Sequence, residues 1–355
     1  MSVGYKFIQW TPYKKRYDAI LVTSIVLFIG VFFAVSKLVH RGAHAISDEI
    51  LLIRALGTCG IVLLHVILCI GPLARLNQKF LPLLYNRRHL GVTMFLLGLA
   101  HAAVVIGFYH GFGRVSPLNS LLTSNTQYRS LSAFPFEILG LLALIILFAM
   151  AATSHDFWLH KLSPRVWKTL HMGVYVAWGL LIAHVALGAI QSERATIYPI
   201  LLFLGVVVVA SLHIAVGRRE LRRDRSAKPA SGWVDACAVD EIDDGRSKVV
   251  AIHDRERIAI FRYGDQFSAI SNVCAHQGGP LGEGRIIDGC VTCPWHGYQY
   301  RPGDGCAPPP FTEKLATYAI RIAGGRVFVN PEPLAPGTAV EPATIRSQPR
   351  EVAHA

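Results

Sequence analysis

Two different patterns of apolar residues divide the chain. Up to residue 216 the apolar residues form long runs, whereas after residue 232 they form short runs that alternate with polar residues. Runs of about 20 apolar residues are long enough to cross a bilayer as helices. The long runs lie at roughly 18–39, 51–74, 89–110, 133–153, 169–190 and 196–216. The pattern therefore predicts a bundle of six transmembrane helices over residues 1–216.

The later part of the chain has the pattern of a small all-β domain. Short alternating runs such as Ile258-Ala-Ile-Phe261 are separated by Gly and Asp turns, which predicts antiparallel strands over residues 233–331. Residues 217–232 are charged and then contain Ser, Ala, Pro and Gly, so they are predicted to form a linker. Residues 332–355 are rich in Pro and Ala and are predicted to be disordered. We find no internal repeat.

Composition and charge agree with a membrane protein. The 355 residues are 52% hydrophobic and 16% charged, which is too apolar for an ordinary soluble protein. The net charge of +12 does not indicate nucleic-acid binding, because the Lys and Arg residues flank the apolar runs. The first sixteen residues lack the short apolar core of a cleavable signal peptide.

The loops between the apolar runs differ in their content of basic residues. Lys and Arg are enriched before the first run, between the second and third, between the fourth and fifth, and after the sixth. Because Lys and Arg are enriched in cytoplasmic loops, this distribution predicts that both termini lie in the cytoplasm. We therefore expect a multi-pass protein of the inner membrane whose β domain is cytoplasmic.

Two pairs of Cys and His residues stand out in the β domain. The sequence reads Cys274-Ala-His276, then sixteen residues, then Cys293-Pro-Trp-His296. Two thiolates on one iron and two imidazoles on the other are the ligands of an asymmetric [2Fe–2S] cluster. Two Cys and two His also form a tetrahedral zinc site, which is the alternative. The spacing favours the cluster, with Cys274, His276, Cys293 and His296 as ligands.

The same stretch resembles the Rieske family. In the Rieske proteins of cytochrome bc complexes a disulfide joins the two cluster loops, and Gly279 and Trp295 match its positions, so the resemblance implies a domain without that disulfide. Tyr298 matches a serine that donates to a bridging sulfide in those proteins, and Tyr300 matches a tyrosine. Hydrogen bonds to cluster sulfur influence the potential. The resemblance thus implies a potential below the bc type, nearer to ferredoxins and ring-hydroxylating oxygenases.

Histidines inside the apolar runs need a partner or a function, because polar side chains at membrane depth are costly. From the helical rise, His171 and His184 lie about 20 Å apart on the fifth predicted helix, and His89 and His101 about 18 Å apart on the third. Both helices run outward, so His89 is level with His171, and His101 with His184. This spacing predicts two bis-imidazole sites for b-type haem, one above the other.

Other membrane histidines have a simpler interpretation. His65, on the second predicted helix, and His213, on the sixth, are predicted to make hydrogen bonds between helices. The sequence contains no Cys-x-x-Cys-His motif, which excludes covalently attached c-type haem.

The third and fifth predicted helices resemble those of the ferric reductase-like transmembrane domain. That superfamily includes ferric reductases, NADPH oxidases and the haem-binding subunit of bacterial methionine sulfoxide reductase. The motifs are Arg87-Arg-His-Leu-Gly91 followed by His101, and Trp167-Lys-Thr-Leu-His-Met-Gly-Val-Tyr175 followed by His184. The resemblance covers about residues 50–190.

The resemblance assigns roles to the histidines. It implies that His101 and His184 hold an outer haem and that His171 is one ligand of an inner haem. His89 departs from the family spacing, which would place Arg87 at the corresponding position. The sequence therefore predicts one b-type haem, held by His101 and His184, and leaves open a second haem at the level of His171.

These features predict an oxidoreductase subunit that transfers electrons. No Gly-x-Gly-x-x-Gly motif follows a predicted strand, so electrons are expected from a separate cytoplasmic protein, a flavoprotein reductase or a ferredoxin, or from a quinol. The expected acceptor lies at the outer side and is a metal ion, a periplasmic protein or a quinone. The alternatives are a quinol-oxidising protein like Rieske/cytochrome b complexes and a redox sensor. A Rieske oxygenase would need a mononuclear iron site, for which the β domain offers few residues.

Overall fold

The computed structural model describes residues 12–41, 45–80, 83–84, 86–154, 158, 162, 164–192, 196–295 and 297–345. The chain divides into two compact units. The first comprises Met1–Gly71 and Asn86–Leu212, and the second comprises Pro72–Tyr85 and His213–Ala355. The first unit is helical, and the second is built mainly of β-strands.

Helices form the first unit, and two of them continue into the second. A 3₁₀ turn covers Gln78–Phe80, and a π-helical turn over Ile106–His110 extends the third helix. The α-helices are α1 (Pro12–Val39), α2 (Asp48–Leu76), α3 (Arg87–Val105), α4 (Pro117–Thr123), α5 (Glu137–Ala152), α6 (Pro164–Leu187), α7 (Ala189–Ser192) and α8 (Ile197–Arg225).

Within the described part of the chain, five helices are long and apolar enough to cross a membrane. They are α1, α2, α3 with its π-helical extension, α6 and α8, while α5 is apolar but only 16 residues long. All six predicted spans therefore coincide with apolar helices, which confirms the helical membrane domain. Val26 and Leu27 of α1 are 63% and 64% exposed, as expected of apolar side chains that face lipid.

The centre of the first unit is a group of closely packed helices. Helix α5 packs against both α6 and α3. Ala143 of α5 and Ala177 of α6 are fully buried at 0% exposure. Small residues let membrane helices approach closely, because lipid supplies no hydrophobic force to drive them together. This packing fixes the positions of the histidines on α3 and α6.

The β-strands of the second unit form three antiparallel sheets, as the alternating pattern predicts. One sheet has the order β1-β10-β9, the second has the order β11-β4-β3-β2 with β8 also paired to β4, and the third has the order β5-β6-β7. The strands are β1 (Val234–Ala238), β2 (Ser247–Val250), β3 (Ile258–Tyr263), β4 (Gln266–Ser271), β5 (Arg285–Ile287), β6 (Cys290–Thr292), β7 (Gln299–Tyr300), β8 (Thr317–Tyr318), β9 (Ile320–Ala323), β10 (Arg326–Val329) and β11 (Ala343–Thr344).

The β domain has two clusters of buried side chains. One cluster fills the space between the first two sheets, with Ile258 and Ile260 of β3 fully buried. The other packs around Phe261, Leu281 and Tyr300 and includes both cysteines of the predicted cluster. The loops that carry the predicted iron ligands are therefore supported by the hydrophobic core itself.

The segment predicted as a linker is largely ordered. Helix α8 continues to Arg225, so the first part of 217–232 is helical. The amide of Lys228 donates to Ala251 O at 2.8 Å, and the amide of His253 donates to Lys228 O at 2.9 Å. Few residues thus separate the end of α8 from the first contact with the β domain.

The first part of the segment predicted to be disordered is ordered in the structure. Residues 332–345 run along the β domain, and β11 pairs with Gln266 and Phe267 of β4. The amide of Val340 also donates to Gly303 O at 2.8 Å. Backbone hydrogen bonds order this stretch even though its composition is typical of disorder. Residues 346–355 lie outside the described residues.

Charged contacts join parts of the second unit. The Arg257 guanidinium pairs with Glu220 and, at 2.6 Å, with Asp224 on α8. The Arg75 side chain lies 3.0 Å from Glu283. Ion pairs of this kind that remain accessible to water contribute about 1 kcal/mol or less each. Together with the covalent connection, they link the β domain to the ends of α2 and α8.

Candidate haem and iron–sulfur sites

His101 on α3 and His184 on α6 face each other. Their ring centroids are 6.5 Å apart and the ring planes make an angle of 89°. The Nδ1 atom of His101 lies 2.9 Å from Ile53 O on α2, and that of His184 lies 2.8 Å from Phe136 O at the start of α5. Because a carbonyl oxygen only accepts, each Nδ1 carries the proton and each Nε2 keeps its lone pair.

The separation of the two rings suits one metal ion between them. With metal–nitrogen bonds of about 2 Å, two imidazoles on opposite sides of an ion have ring centroids about 6 Å apart. The value of 6.5 Å for His101 and His184 is close to this. Metal-bound histidines usually donate their other N–H to a carbonyl or carboxylate, as these two do. The pair therefore fits the two axial ligands of a b-type haem.

The other two predicted haem ligands, His89 and His171, each contact a different set of residues. The Nδ1 atom of His89 lies 3.0 Å from Asp18 Oδ1 on α1. The His171 ring stacks on Trp167 with centroids 3.8 Å apart, and its Nδ1 lies 3.0 Å from Trp167 O. Its Nε2 lies 3.4 Å from Ser154 Oγ. The structure thus brings His101 and His184 together, whereas the contacts of His89 and His171 are with different partners.

His65 makes the contact that the sequence predicts for it. Its Nδ1 lies 2.7 Å from Ile61 O on its own helix, and the Trp178 indole of α6 donates to its Nε2 at 3.4 Å. His65 therefore joins α2 to α6 by a hydrogen bond between helices.

The two loops with the predicted cluster ligands share one backbone pattern. The amide of Cys274 donates to the carbonyl oxygen five residues later at 2.9 Å, and Cys293 does the same at 2.8 Å. The amides of Gly278 and Gly297 donate back to these cysteine carbonyls at 2.7 and 2.9 Å. Both glycines have positive φ angles, +70° and +72°, which residues with a side chain rarely adopt. The sequence therefore folds both loops in the same way around their cysteines.

The two thiols are buried, and Cys274 is surrounded by hydrogen-bond donors. Cys274 is 2% exposed and Cys293 is 1% exposed. The hydrogen bond with Cys293 lowers the pKa of Cys274 to about 7, against the opposing effect of burial. The Tyr300 hydroxyl lies 3.3 Å from Cys274 Sγ and accepts from the His276 amide. Metal ligation requires the thiolate, so this environment suits a metal site.

Tyr298 connects the His276 ring to a third loop, which contains the Pro-rich strip Ala307-Pro-Pro-Pro310, Phe311 and Glu313. The two rings are stacked with centroids 4.7 Å apart and planes within 9°. The Tyr298 hydroxyl donates to Glu313 Oε2, and Phe311 packs against the ring at 4.9 Å. Burial acts against ionisation of Glu313, but the hydrogen bond from Tyr298 helps to hold its pKa below the usual value. A tyrosine has one O–H, so in this arrangement Tyr298 does not donate to cluster sulfur as the family serine does.

The two loops touch at the positions of the family disulfide. A Cβ atom on Gly279 would lie 2.8 Å from Cys293 Sγ and 3.2 Å from the Trp295 ring. All seven cysteines are free thiols.

His296, the fourth predicted ligand, lies outside the described residues. The two buried thiols and the supported His276 fit a Rieske cluster, which takes both thiolates on one iron.

Sequence analysis missed several residues of these sites. The carbonyl groups of Ile53 and Phe136 belong to the backbone, so no side chain signals their role. Glu313 follows the Pro-rich strip by a few residues, and only its contact with Tyr298 reveals that it lies at the site.

Comparisons with known proteins find matches for both parts of the chain. The sequence matches the family described as Rieske [2Fe-2S] domain over residues 232–319 and the family described as Ferric reductase like transmembrane component over residues 56–182. The ferredoxin component of the alkene monooxygenase system of Xanthobacter autotrophicus is 32% identical over 103 residues, which cover 29% of this chain and 84% of that protein. The ferredoxin subunit of anthranilate 1,2-dioxygenase from Burkholderia cepacia is 38% identical over 101 residues, covering 28% and 91%.

A second group of relatives matches the helical part. The protein-methionine-sulfoxide reductase heme-binding subunit MsrQ of Caulobacter vibrioides is 30% identical over 180 residues, which cover 50% of this chain and 77% of that protein. Both kinds of relative are thus covered over most of their own length. The chain belongs to the ferric reductase-like transmembrane family through its helices and to the Rieske [2Fe–2S] family through its β domain.

Proposed function

We propose that the protein is a membrane-bound electron-transfer subunit that passes electrons from a cytoplasmic donor to an acceptor at the outer side of the membrane. The observation that carries the proposal is the pairing of His101 and His184 at a separation suited to one iron, in a chain that also carries the Rieske loops. When bound, the haem and the [2Fe–2S] cluster each supply a centre that accepts and returns one electron.

The proposed haem ligands are His101 and His184. Their Nδ1 hydrogen bonds to Ile53 O and Phe136 O fix the tautomer and the ring orientation before any metal binds. His89 and His171 have separate neighbours, so the geometry supports one b-type haem. The proposed cluster ligands are the two cysteines with His276 and His296.

The proposed topology places both ends of the chain in the cytoplasm. Its support is the set of arginines that follows the membrane part of α8, at Arg218, Arg219, Arg222, Arg223 and Arg225. Because the β domain begins at Val234, soon after this helix, it lies on the same side as these arginines. The cluster would then receive electrons from cytoplasmic proteins.

A reporter fused after Arg225 tests this topology. Alkaline phosphatase requires the periplasm, whereas green fluorescent protein folds in the cytoplasm. We expect fluorescence from the second fusion and no phosphatase activity from the first, because the basic loops hold this side in the cytoplasm. The opposite result would place the β domain outside and reverse the proposed direction of electron flow.

The relatives support particular partners. Two relatives are named as ferredoxin components of oxygenase systems. We infer that the β domain, like a ferredoxin, takes electrons from a separate protein, such as a flavoprotein reductase. MsrQ is named as a subunit of a protein-methionine-sulfoxide reductase. Among the acceptors considered, this name supports an outer-side protein over a metal ion or a quinone.

Electron transfer in vesicles tests the function. The full chain is reconstituted, a reduced ferredoxin is added on the side of the β domain, and haem absorbance is followed after mixing. We expect Cys293→Ser to slow haem reduction to the rate without ferredoxin, because the variant lacks one cluster thiolate. Cys306→Ser is the matched control, because this free thiol lies outside the cluster loops.

Two results would contradict the relay. Equal rates in Cys293→Ser and the unmodified protein would show that electrons bypass the β domain. Haem reduction by a quinol analogue, at the same rate with and without the cluster, would favour direct quinol oxidation in the membrane instead.

A further inference from the structure

Each of the two proposed haem ligands lies against a glycine of a neighbouring helix. A Cβ atom on Gly57 of α2 would lie 3.1 Å from Cε1 of His101. A Cβ atom on Gly140 of α5 would lie 2.9 Å from Cε1 and from Nδ1 of His184. Carbon atoms in favourable contact are about 3.5–4.0 Å apart, so a methyl group at Gly140 would clash with the His184 ring and one at Gly57 would press against the His101 ring.

The glycines also stand in a fixed relation to the hydrogen-bond acceptors. Gly57 follows Ile53 by four residues, and Gly140 follows Phe136 by four. In an α-helix the carbonyl of one residue points toward the amide four residues later. A side chain at that later residue would therefore stand beside the carbonyl oxygen. Because glycine has no side chain, an imidazole from another helix can reach the oxygen.

The same arrangement occurs twice with the same spacing. The acceptor and the histidine are separated by 48 residues in both His101–Ile53 and His184–Phe136. Leu56-Gly57 corresponds to Leu139-Gly140, and Ala precedes the histidine in both copies. Between these landmarks the two copies differ, which is why no repeat is evident in the sequence.

We propose that α2–α3 and α5–α6 form two equivalent halves of the haem site, in which Gly57 and Gly140 are positioning residues that seat the axial imidazoles. The inference rests on the proposed haem ligation by His101 and His184. In each half the carbonyl holds Nδ1 while the glycine sets how closely the ring approaches the helix. An added methyl group would push the ring away from its acceptor and change the orientation in which Nε2 would bind the iron.

Alanine substitutions at the two glycines test the proposal. For Gly57→Ala and Gly140→Ala in the full chain, we expect haem affinity to fall about 10–100-fold, the usual effect of disturbing residues that orient metal ligands. The absorbance and EPR spectra of the remaining haem should shift from low spin toward high spin, because one axial bond is weakened. Both variants should show comparable losses if the halves are equivalent.

Three control variants separate positioning from packing damage. Positions Gly60 on α2 and Gly179 on α6 have no atom within 4 Å of an added Cβ, so alanine there should leave haem binding unchanged. A Cβ on Gly205 would lie 3.0 Å from His65, which binds no haem in our proposal. Gly205→Ala therefore reproduces the crowding of a membrane histidine without touching the site. The EPR signal of the cluster reports whether the β domain of each variant has folded, and far-UV circular dichroism reports whether the helical unit keeps its helix content.

The outcomes distinguish this inference from the proposed function. If the two glycine variants keep unmodified haem affinity and spin state, the positioning role is wrong. If only one of them loses affinity, the two halves are not equivalent. Equal loss in Gly205→Ala would show a general packing effect. Retention of haem by His101→Ala and His184→Ala would instead refute the ligation on which the inference rests.

Discussion

Replacing His101 with alanine is expected to abolish the low-spin haem spectrum of the purified protein, and His184→Ala is expected to have the same effect. The ring centroids of His101 and His184 are 6.5 Å apart, which suits ligation of one iron by both rings. Removal of either ring leaves one imidazole where a bis-imidazole site needs two. Haem that remains should be five-coordinate and high spin. Haem content by the pyridine haemochrome assay and the EPR spectrum measure both effects.

The matched control for this prediction is His65→Ala. His65 is also a membrane histidine with Nδ1 bound to a carbonyl, but its Nε2 accepts from Trp178. Its loss should leave haem content unchanged. If both His101→Ala and His184→Ala retain full low-spin haem, the axial ligands lie elsewhere.

Loss of either cluster thiolate is expected to remove the cluster and destabilise the β domain. Cys274 and Cys293 are buried in the core that includes Phe261 and Tyr300. Metal binding that requires a folded site contributes its binding energy to folding. We therefore expect Cys274→Ser and Cys293→Ser to lose the rhombic Rieske EPR signal and to lower the thermal midpoint of the β domain.

Cys290→Ser serves as the control for the cluster variants. This free thiol is only partly buried and lies on β6, just before the second cluster loop. Its replacement should keep the EPR signal and the thermal midpoint. Metal analysis decides between the two sites that the motif permits: zinc without iron in protein purified under anaerobic conditions would disprove the cluster.

The cluster site was more predictable from sequence than the haem site. Cys274, His276 and Cys293 each lie within a loop of a few residues, and local hydrogen bonds and glycines determine the loop conformation. The spacing of these residues in the sequence therefore determines most of the geometry of the cluster loops. Glu313 was not predictable, because its hydrogen bond with Tyr298 depends on how the third loop packs.

The prediction for His89 shows what spacing along a helix leaves undetermined. The rise per residue gives the depth of a side chain in the membrane, but not the direction in which it points. At 3.6 residues per turn, His89 and His101 are about 120° apart around the axis of α3. His101 faces α6, whereas His89 meets Asp18 on α1. Arg87, at the family position, is only about 40° from His101.

Continuation of α8 to Arg225 has a kinetic consequence. Only two residues separate this helix end from Lys228, which is hydrogen-bonded to the β domain, so the free chain spans at most about 10 Å. The β domain is then tethered close to the end of α8, where Arg257 pairs with Glu220 and Asp224. Its contact with this helix end is intramolecular, so dilution does not weaken it. An external ferredoxin must instead arrive by diffusion, with a rate constant of about 10⁵–10⁷ M⁻¹s⁻¹, so donor concentration would control turnover when the donor is scarce.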